Sequence, residues 1–187
     1  MYRKSPKIPK NIRNSDTEGI ESDMILYILI IAFVIAADQL TKVWASSALT
    51  EITTMPVIED VIHFTYVENR GAAFGMLADH RWIFMILSVL GIGALFLWML
   101  FDKSLTKPMK VILAMIIGGG IGNMIDRIML GYVVDFIDCR FIDFYVFNVA
   151  DSFVTVGCFL FVILIVLTEL KEHKNKKTAE SGGESDE

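Results

Sequence analysis

Apolar residues gather into four long runs: Met24 to about Ala37 with an extension toward Ala48, Trp82–Phe101, Val111–Leu130 and Phe147–Leu167. Each supplies about twenty helical residues, enough at roughly 1.5 Å per residue to cross a hydrocarbon layer of about 30 Å. A helix satisfies its own backbone hydrogen bonds, so runs of this length predict transmembrane helices. Four short buried helices of a soluble protein are the alternative, and the near-unbroken apolarity of Trp82–Phe101 argues against it. Between the first two runs the pattern changes. In Val61–Tyr66 the apolar residues Ile62, Phe64 and Tyr66 alternate with His63 and Thr65, the period of a strand with one apolar face. Asn69-Arg70-Gly71-Ala72-Ala73-Phe74-Gly75 follows, rich in turn formers and small residues. A plain surface hairpin and a small sheet resting on the membrane both fit this loop. The fold expected is an all-α polytopic membrane protein, with four transmembrane helices and a small extracytoplasmic β-sheet formed largely by the first outer loop.

Composition agrees: 54% of the 187 residues are hydrophobic, too many for an ordinary soluble domain. The formal net charge of −5 says less than its placement. Arg3, Lys4, Lys7, Lys10 and Arg13 precede the first run; Lys103, Lys107 and Lys110 lie between the second and third; Lys171, Lys174, Lys176 and Lys177 follow the fourth. The two remaining loops are poorer, with Arg70 and Arg81 in one and Arg140 in the other. The alternation predicts cytoplasmic termini and middle loop, with loops one and three outside. It divides the chain into a polar tail over 1–23, a four-helix membrane domain over 24–170 and a charged tail over 171–187. Both tails are expected to be solvated and poorly ordered. The basic N-terminus reads as membrane-flanking, with no nucleic acid as partner. No convincing cleavable signal sequence precedes the first run.

The polar exceptions inside apolar sequence carry the chemistry. Asp38 and Lys42 are one helical turn apart, a favourable spacing for an ion pair. With the predicted topology, Asn123, Asp126 and Arg127 near the outer end of the third run meet Asn148 and Asp151 in the first turns of the fourth. Asp135 lies in the connection between them, so these groups converge on one depth near the outer leaflet. Buried carboxylates beside hydrocarbon are costly and point to function. Two sharing a site divide naturally into an ionised one that activates water and a protonated one that hydrogen-bonds a carbonyl. The plainer alternative has Asp135 or Asp151 pairing with Arg127 or Arg140, or capping a helix; Asp151, in the first turn of its helix, suits a cap. Lys42 acting as a base for Ser46 or Ser47 is a weaker alternative. Gly118 and Gly122 form a small-xxx-small face for helix packing. His63, His80 and His173 are scattered, and Cys139 and Cys158 are unsuited to a bridge, so neither metal nor cofactor is expected.

Five motifs then occur in order: Asp38-Gln39-Leu40-Thr41-Lys42; Asn69 through Gly75; Gly122-Asn123-Met124-Ile125-Asp126-Arg127; Gly131-Tyr132-Val133-Val134-Asp135-Phe136; and Phe147-Asn148-Val149-Ala150-Asp151. From about Met24 to Leu170 the chain resembles the lipoprotein signal peptidase (signal peptidase II) family. The resemblance implies an aspartic endopeptidase of the bacterial plasma membrane that cleaves prolipoproteins before a diacylglyceryl-modified cysteine. It assigns catalysis to Asp135 and Asp151, binding or bracing of the site to Asn69, Gly71, Asn123, Arg127 and Asn148, and support to Asp38, Lys42 and Asp126. The implied partners are lipidated prolipoproteins and membrane lipid, with a monomer as the default state. Asp138–Tyr145 is a departure from the family pattern, and its Asp138 and Asp143 read as solvated loop residues. A channel or transporter using the carboxylates as an ion path is the competing class; it predicts polar groups spread through the bilayer depth.

Overall fold

The computed structural model describes residues 10–71, 81–142 and 144–183. Four helices, α1 (Lys10–Leu49), α2 (Arg81–Phe101), α3 (Lys107–Met129) and α4 (Val149–Gly183), carry one three-stranded sheet at one end of the bundle. The outward faces are apolar: Phe33, Leu40 and Val43 of α1, Leu90 and Leu97 of α2, and Phe159 and Val162 of α4 are all exposed. An apolar exterior around a partly polar interior is the arrangement that lipid demands. Among the described residues three helical stretches are long and apolar enough to cross a membrane, Asp23–Leu49, Lys107–Met129 and Val149–Asn175; α2 offers a shorter apolar stretch, Met85–Phe101.

Two helices outrun the sequence expectation. α1 is already helical at Lys10 and α4 stays helical to Gly183, inside stretches expected to be unordered tails. Once an apolar segment has nucleated a helix, extending it costs no further nucleus.

α3 is the central helix, packed against α1, α2 and α4, and its glycines set how close the neighbours come. A Cβ added at Gly118 would fall 2.8 Å from Val34 Cβ, and at Gly122 2.5 Å from Asp38 Oδ2, so both face α1 as the small-xxx-small spacing predicts. Gly119 faces α4 instead, against the Ala150 carbonyl oxygen. α3 ends where Leu130 N–H and Gly131 N–H both donate to the Asp126 carbonyl oxygen. Gly131 then takes φ 85°, a left-handed conformation that suits glycine, and turns the chain into a strand.

The sheet is antiparallel in the order β1 (Thr54–Ile58), β2 (Ile62–Asn69), β3 (Val133–Cys139). The alternating segment in loop one is therefore β2, part of a sheet rather than a lone hairpin. Its other neighbour lies in the stretch expected to be a mere connection between the third and fourth runs. β3 comes from loop three, so the sheet draws on both outer loops. Val134 and Phe136 pack with Phe64 against Ala45 and Leu49 near the end of α1, with the Trp44 ring edge-on to Phe64 at 5.2 Å. Strand alternation consequently directs Asp135 to the opposite face. Reciprocal backbone bonds between Ile137 and Phe147 tie β3 to the start of α4. That tie sets Asn148 beside Asp135.

Candidate active site

Asn148 stands immediately before α4, and its side chain caps the helix: Asp151 N–H donates to Asn148 Oδ1 at 2.9 Å, and Asn148 N–H donates back to Asp151 Oδ2 at 3.3 Å. This reciprocal pair is a capping box with asparagine and aspartate in its two positions. The expectation that Asp151 suits a cap is thus met, but its other oxygen remains for different work. Asn148 Nδ2 donates across to Asp135 Oδ1 at 2.6 Å. One residue therefore touches both carboxylates that the sequence singled out.

Each carboxylate has a second amide partner. Asn69 Nδ2 donates to Asp135 Oδ2 at 2.9 Å, and Gly71 N–H donates to Asn69 Oδ1 at 3.1 Å, which settles the direction of the Asn69 amide. Asn123 Nδ2 donates to Asp151 Oδ1 at 2.7 Å. Asp135 is only 1% exposed, and its pKa is pushed up to about 6. Burial is the main cause, opposed by the hydrogen bond from Asn69 and reinforced by the charge of Asp151; Asn148 and Lys42 pull the other way. A carboxyl poised there can hold a proton or release it near neutrality. Arg127 Nη1 donates to the Asn123 carbonyl oxygen at 3.3 Å, and its charge acts on Asp151, Asp135 and Asp126.

A second buried cluster lies behind the first. Lys42 Nζ bridges Asp38 Oδ2 at 2.8 Å and Asp126 Oδ2 at 3.0 Å. The helical-turn pair expected from sequence is present and has acquired a third member. Asp38 Oδ1 accepts from Ala150 N–H at 3.0 Å, joining α1 to α4. Asp126 Oδ2 accepts from Val134 N–H at 3.0 Å, fixing the strand that carries Asp135. Ser46 and Ser47 are not among the hydrogen-bond or ion-pair partners of Lys42; Ser47 Oγ donates to the Trp44 carbonyl oxygen instead.

The signal peptidase (SPase) II family model matches residues 30–167. The lipoprotein signal peptidase of Clostridioides difficile (strain 630) is 45% identical over 147 residues, 79% of this chain and 99% of that one. That of Caldanaerobacter subterraneus subsp. tengcongensis is 47% identical over 139 residues, 74% and 94% of the two chains. The chain belongs to the signal peptidase II family. A bacterial membrane enzyme solved by the in meso method at 2.3 Å superposes with a TM-score of 0.67 at 36% identity, covering 81% of this chain and 91% of that one. Membership makes this a hydrolase, a membrane peptidase of lipoprotein processing.

All ten residues singled out in the peptidase sequence fall in or beside this connected network: Asn69, Gly71, Asp135, Asn148 and Asp151 around the two carboxylates, Asn123 and Arg127 against them, and Asp38, Lys42 and Asp126 behind. Gln39 was overlooked. Its Nε2 lies 2.9 Å from Asp126 Oδ1, 3.2 Å from Asp38 Oδ2 and 3.2 Å from the Gly122 carbonyl oxygen. A polar side chain adjacent to Asp38 inside an apolar run was the available signal. Asp138 corrects the expectation of a solvated loop residue: it lies in β3 and accepts from Thr65 Oγ1 at 2.8 Å and Arg140 Nε at 3.2 Å. Asp143 and the stretch Ala72–Gly75 lie outside the described residues. Cys139 and Cys158 are both free.

Proposed function

We propose that the chain is an aspartic endopeptidase that removes signal peptides from prolipoproteins, cutting before a diacylglyceryl-modified cysteine, with Asp135 and Asp151 as its reacting pair. Supporting this is the single asparagine, Asn148, that binds both carboxylates, one of which has its pKa pushed up to about 6. In the reaction Asp135 carries the proton and Asp151 is the ionised base. Asp151 takes a proton from water as the water oxygen attacks the scissile carbonyl carbon, and Asp135 hydrogen-bonds and then protonates the carbonyl oxygen. The tetrahedral diol collapses with rupture of the C–N bond. The leaving amine takes the proton held on Asp151, and a diol hydroxyl returns one to Asp135. Both carboxyls end as they began, and the water is divided between the two products. No metal and no covalent intermediate enters.

Asn69, Gly71, Asn123, Arg127 and Asn148 bind substrate or hold the pair, and Asp38, Lys42 and Asp126 support them. The membrane domain, 24–170, crosses the bilayer four times with both termini and the middle loop cytoplasmic. That sets the pair near the outer leaflet surface, where a lipidated cysteine keeps its acyl chains in hydrocarbon while presenting its peptide bond. The protein acts as a monomer in the bacterial plasma membrane. The test is cleavage of a lipidated and an unlipidated prolipoprotein by purified wild type, Asp135→Asn and Asp151→Asn. Expected is cleavage of the lipidated substrate by wild type alone, with each variant slowed by at least about 10³-fold. A folded variant cutting at near wild-type rate removes that residue from the pair.

A further inference from the structure

We infer that Lys42 is a positioning residue for the reaction, acting on Asp151 through the side-chain amide of Asn123, and is more than a brace between helices. The inference rests on Asp135 and Asp151 being the reacting pair. An asparagine amide can present either end to a neighbour, and only its partners decide which. An ammonium has three donors and no acceptor. Lys42 Nζ, 2.8 Å from the Asn123 side chain, must therefore meet Oδ1, and the geometry leaves Nδ2 to face Asp151 Oδ1 at 2.7 Å. Asn148 Nδ2 meets the same Asn123 oxygen at 3.0 Å while it binds Asp135. Asn123 Oδ1 is thus the point where the lysine cluster and the two carboxylates join.

The lysine has little freedom to be elsewhere. It is 3% exposed and held by Asp38 and Asp126 on either side, so its third donor is aimed by the other two. Without the ammonium, Asn123 Oδ1 keeps only the contact from Asn148. The opposite rotamer, with Oδ1 turned to Asp151, would set a carbonyl oxygen against a carboxylate oxygen and disturb the group that must accept a proton from water. An effect of this kind falls on the chemical step. Lys42 forms its ion pairs with Asp38 and Asp126 and reaches the pair through Asn123.

The experiment is a double-mutant cycle in the purified full chain: Lys42→Met, Asn123→Ala and both together, with kcat and KM measured on a lipidated prolipoprotein and thermal unfolding measured beside them. Each single change is expected to lower kcat on the order of 10²-fold, the scale for a reacting group displaced by about 1 Å, with KM within about threefold. The double variant should be no slower than the slower single, because both changes break one link. Losses in kcat that multiply, or a folded Lys42→Met enzyme within twofold of wild-type kcat, overturn the inference. Should Lys42→Met not fold because two carboxylates lose their counter-ion, Lys42→Met with Asp126→Asn replaces it in the cycle, referred to Asp126→Asn alone. Asparagine keeps an oxygen for the Val134 N–H, and the net charge of the cluster is unchanged. Asp151→Asn is run alongside: activity surviving there defeats the reading of the pair, whereas multiplying losses with an inert Asp151→Asn defeat only the role of Lys42.

Discussion

Replacing Gly122 by alanine measures how tightly α1 is held against α3 at the polar end of the bundle. The added Cβ would lie 2.5 Å from Asp38 Oδ2 and 3.1 Å from Asp38 Cγ. Asp38 cannot swing away cheaply. It is fully buried, with one oxygen on Ala150 N–H and the other on Lys42 Nζ. Relief must come from separating the helices, an overpacking cost of about 1–3 kcal/mol, or from breaking a charge-assisted bond, about 1.5–3 kcal/mol. The expected destabilisation is about 1–3 kcal/mol, a fall in unfolding temperature of roughly 2–12 °C for a chain of this size. Gly91→Ala and Gly93→Ala are the controls, because a Cβ at either meets nothing within 4 Å. Thermal unfolding in detergent, followed by tryptophan emission, should separate Gly122→Ala from wild type and leave both controls within about 2 °C of it. Gly122→Ala unfolding alongside the controls would refute the close approach and the pinned carboxylate with it.

Two further outcomes follow from titration and burial. The pKa of Asp135 is raised to about 6 from an ordinary value of 3.8, so the folded protein holds a proton that the unfolded chain has released. This contribution to stability is complete below about pH 4 and is lost as pH rises through about 6. Asp135→Asn should flatten unfolding temperature against pH across that window, and an unchanged slope would refute the assignment; wild-type kcat should fall on the alkaline side as Asp135 loses its proton. His63 is buried, with neither ring nitrogen hydrogen-bonded among the described residues. His63→Leu removes a desolvation penalty of about 1–3 kcal/mol, so it should raise the unfolding temperature by a few degrees and leave cleavage unaltered; a clear loss of stability would mean the ring has a partner.

What could be read from sequence was what helical spacing controls. Asp38 and Lys42 are four residues apart, and Gly118 and Gly122 likewise, so each pair shares a helix face whatever else the chain does. β3 was hidden for the opposite reason. Val133-Val134-Asp135-Phe136-Ile137 has almost no polar alternation, because Asp135 is buried on one face as thoroughly as Val134 is on the other. Its partner β2 also lies about sixty-six residues away, with Asn69 reaching Asp135 across that separation, and no local periodicity encodes such a pairing. Asp138 was misjudged with it, since a carboxylate after an apolar stretch reads as loop until a strand supplies Thr65 as its neighbour. Gln39 fell between: it was visible as a polar residue in an apolar run, but only α3 packing gives it Asp126.

The capping box at Asn148 bears on how the protein is made. The residue that starts α4 is the one that binds both carboxylates, while the lysine cluster behind it needs α1 and α3 already side by side. A ribosome-bound chain with only its first helices inserted holds neither arrangement. The network that joins the two carboxylates therefore comes into being with the last helix, in the same event that closes the fold.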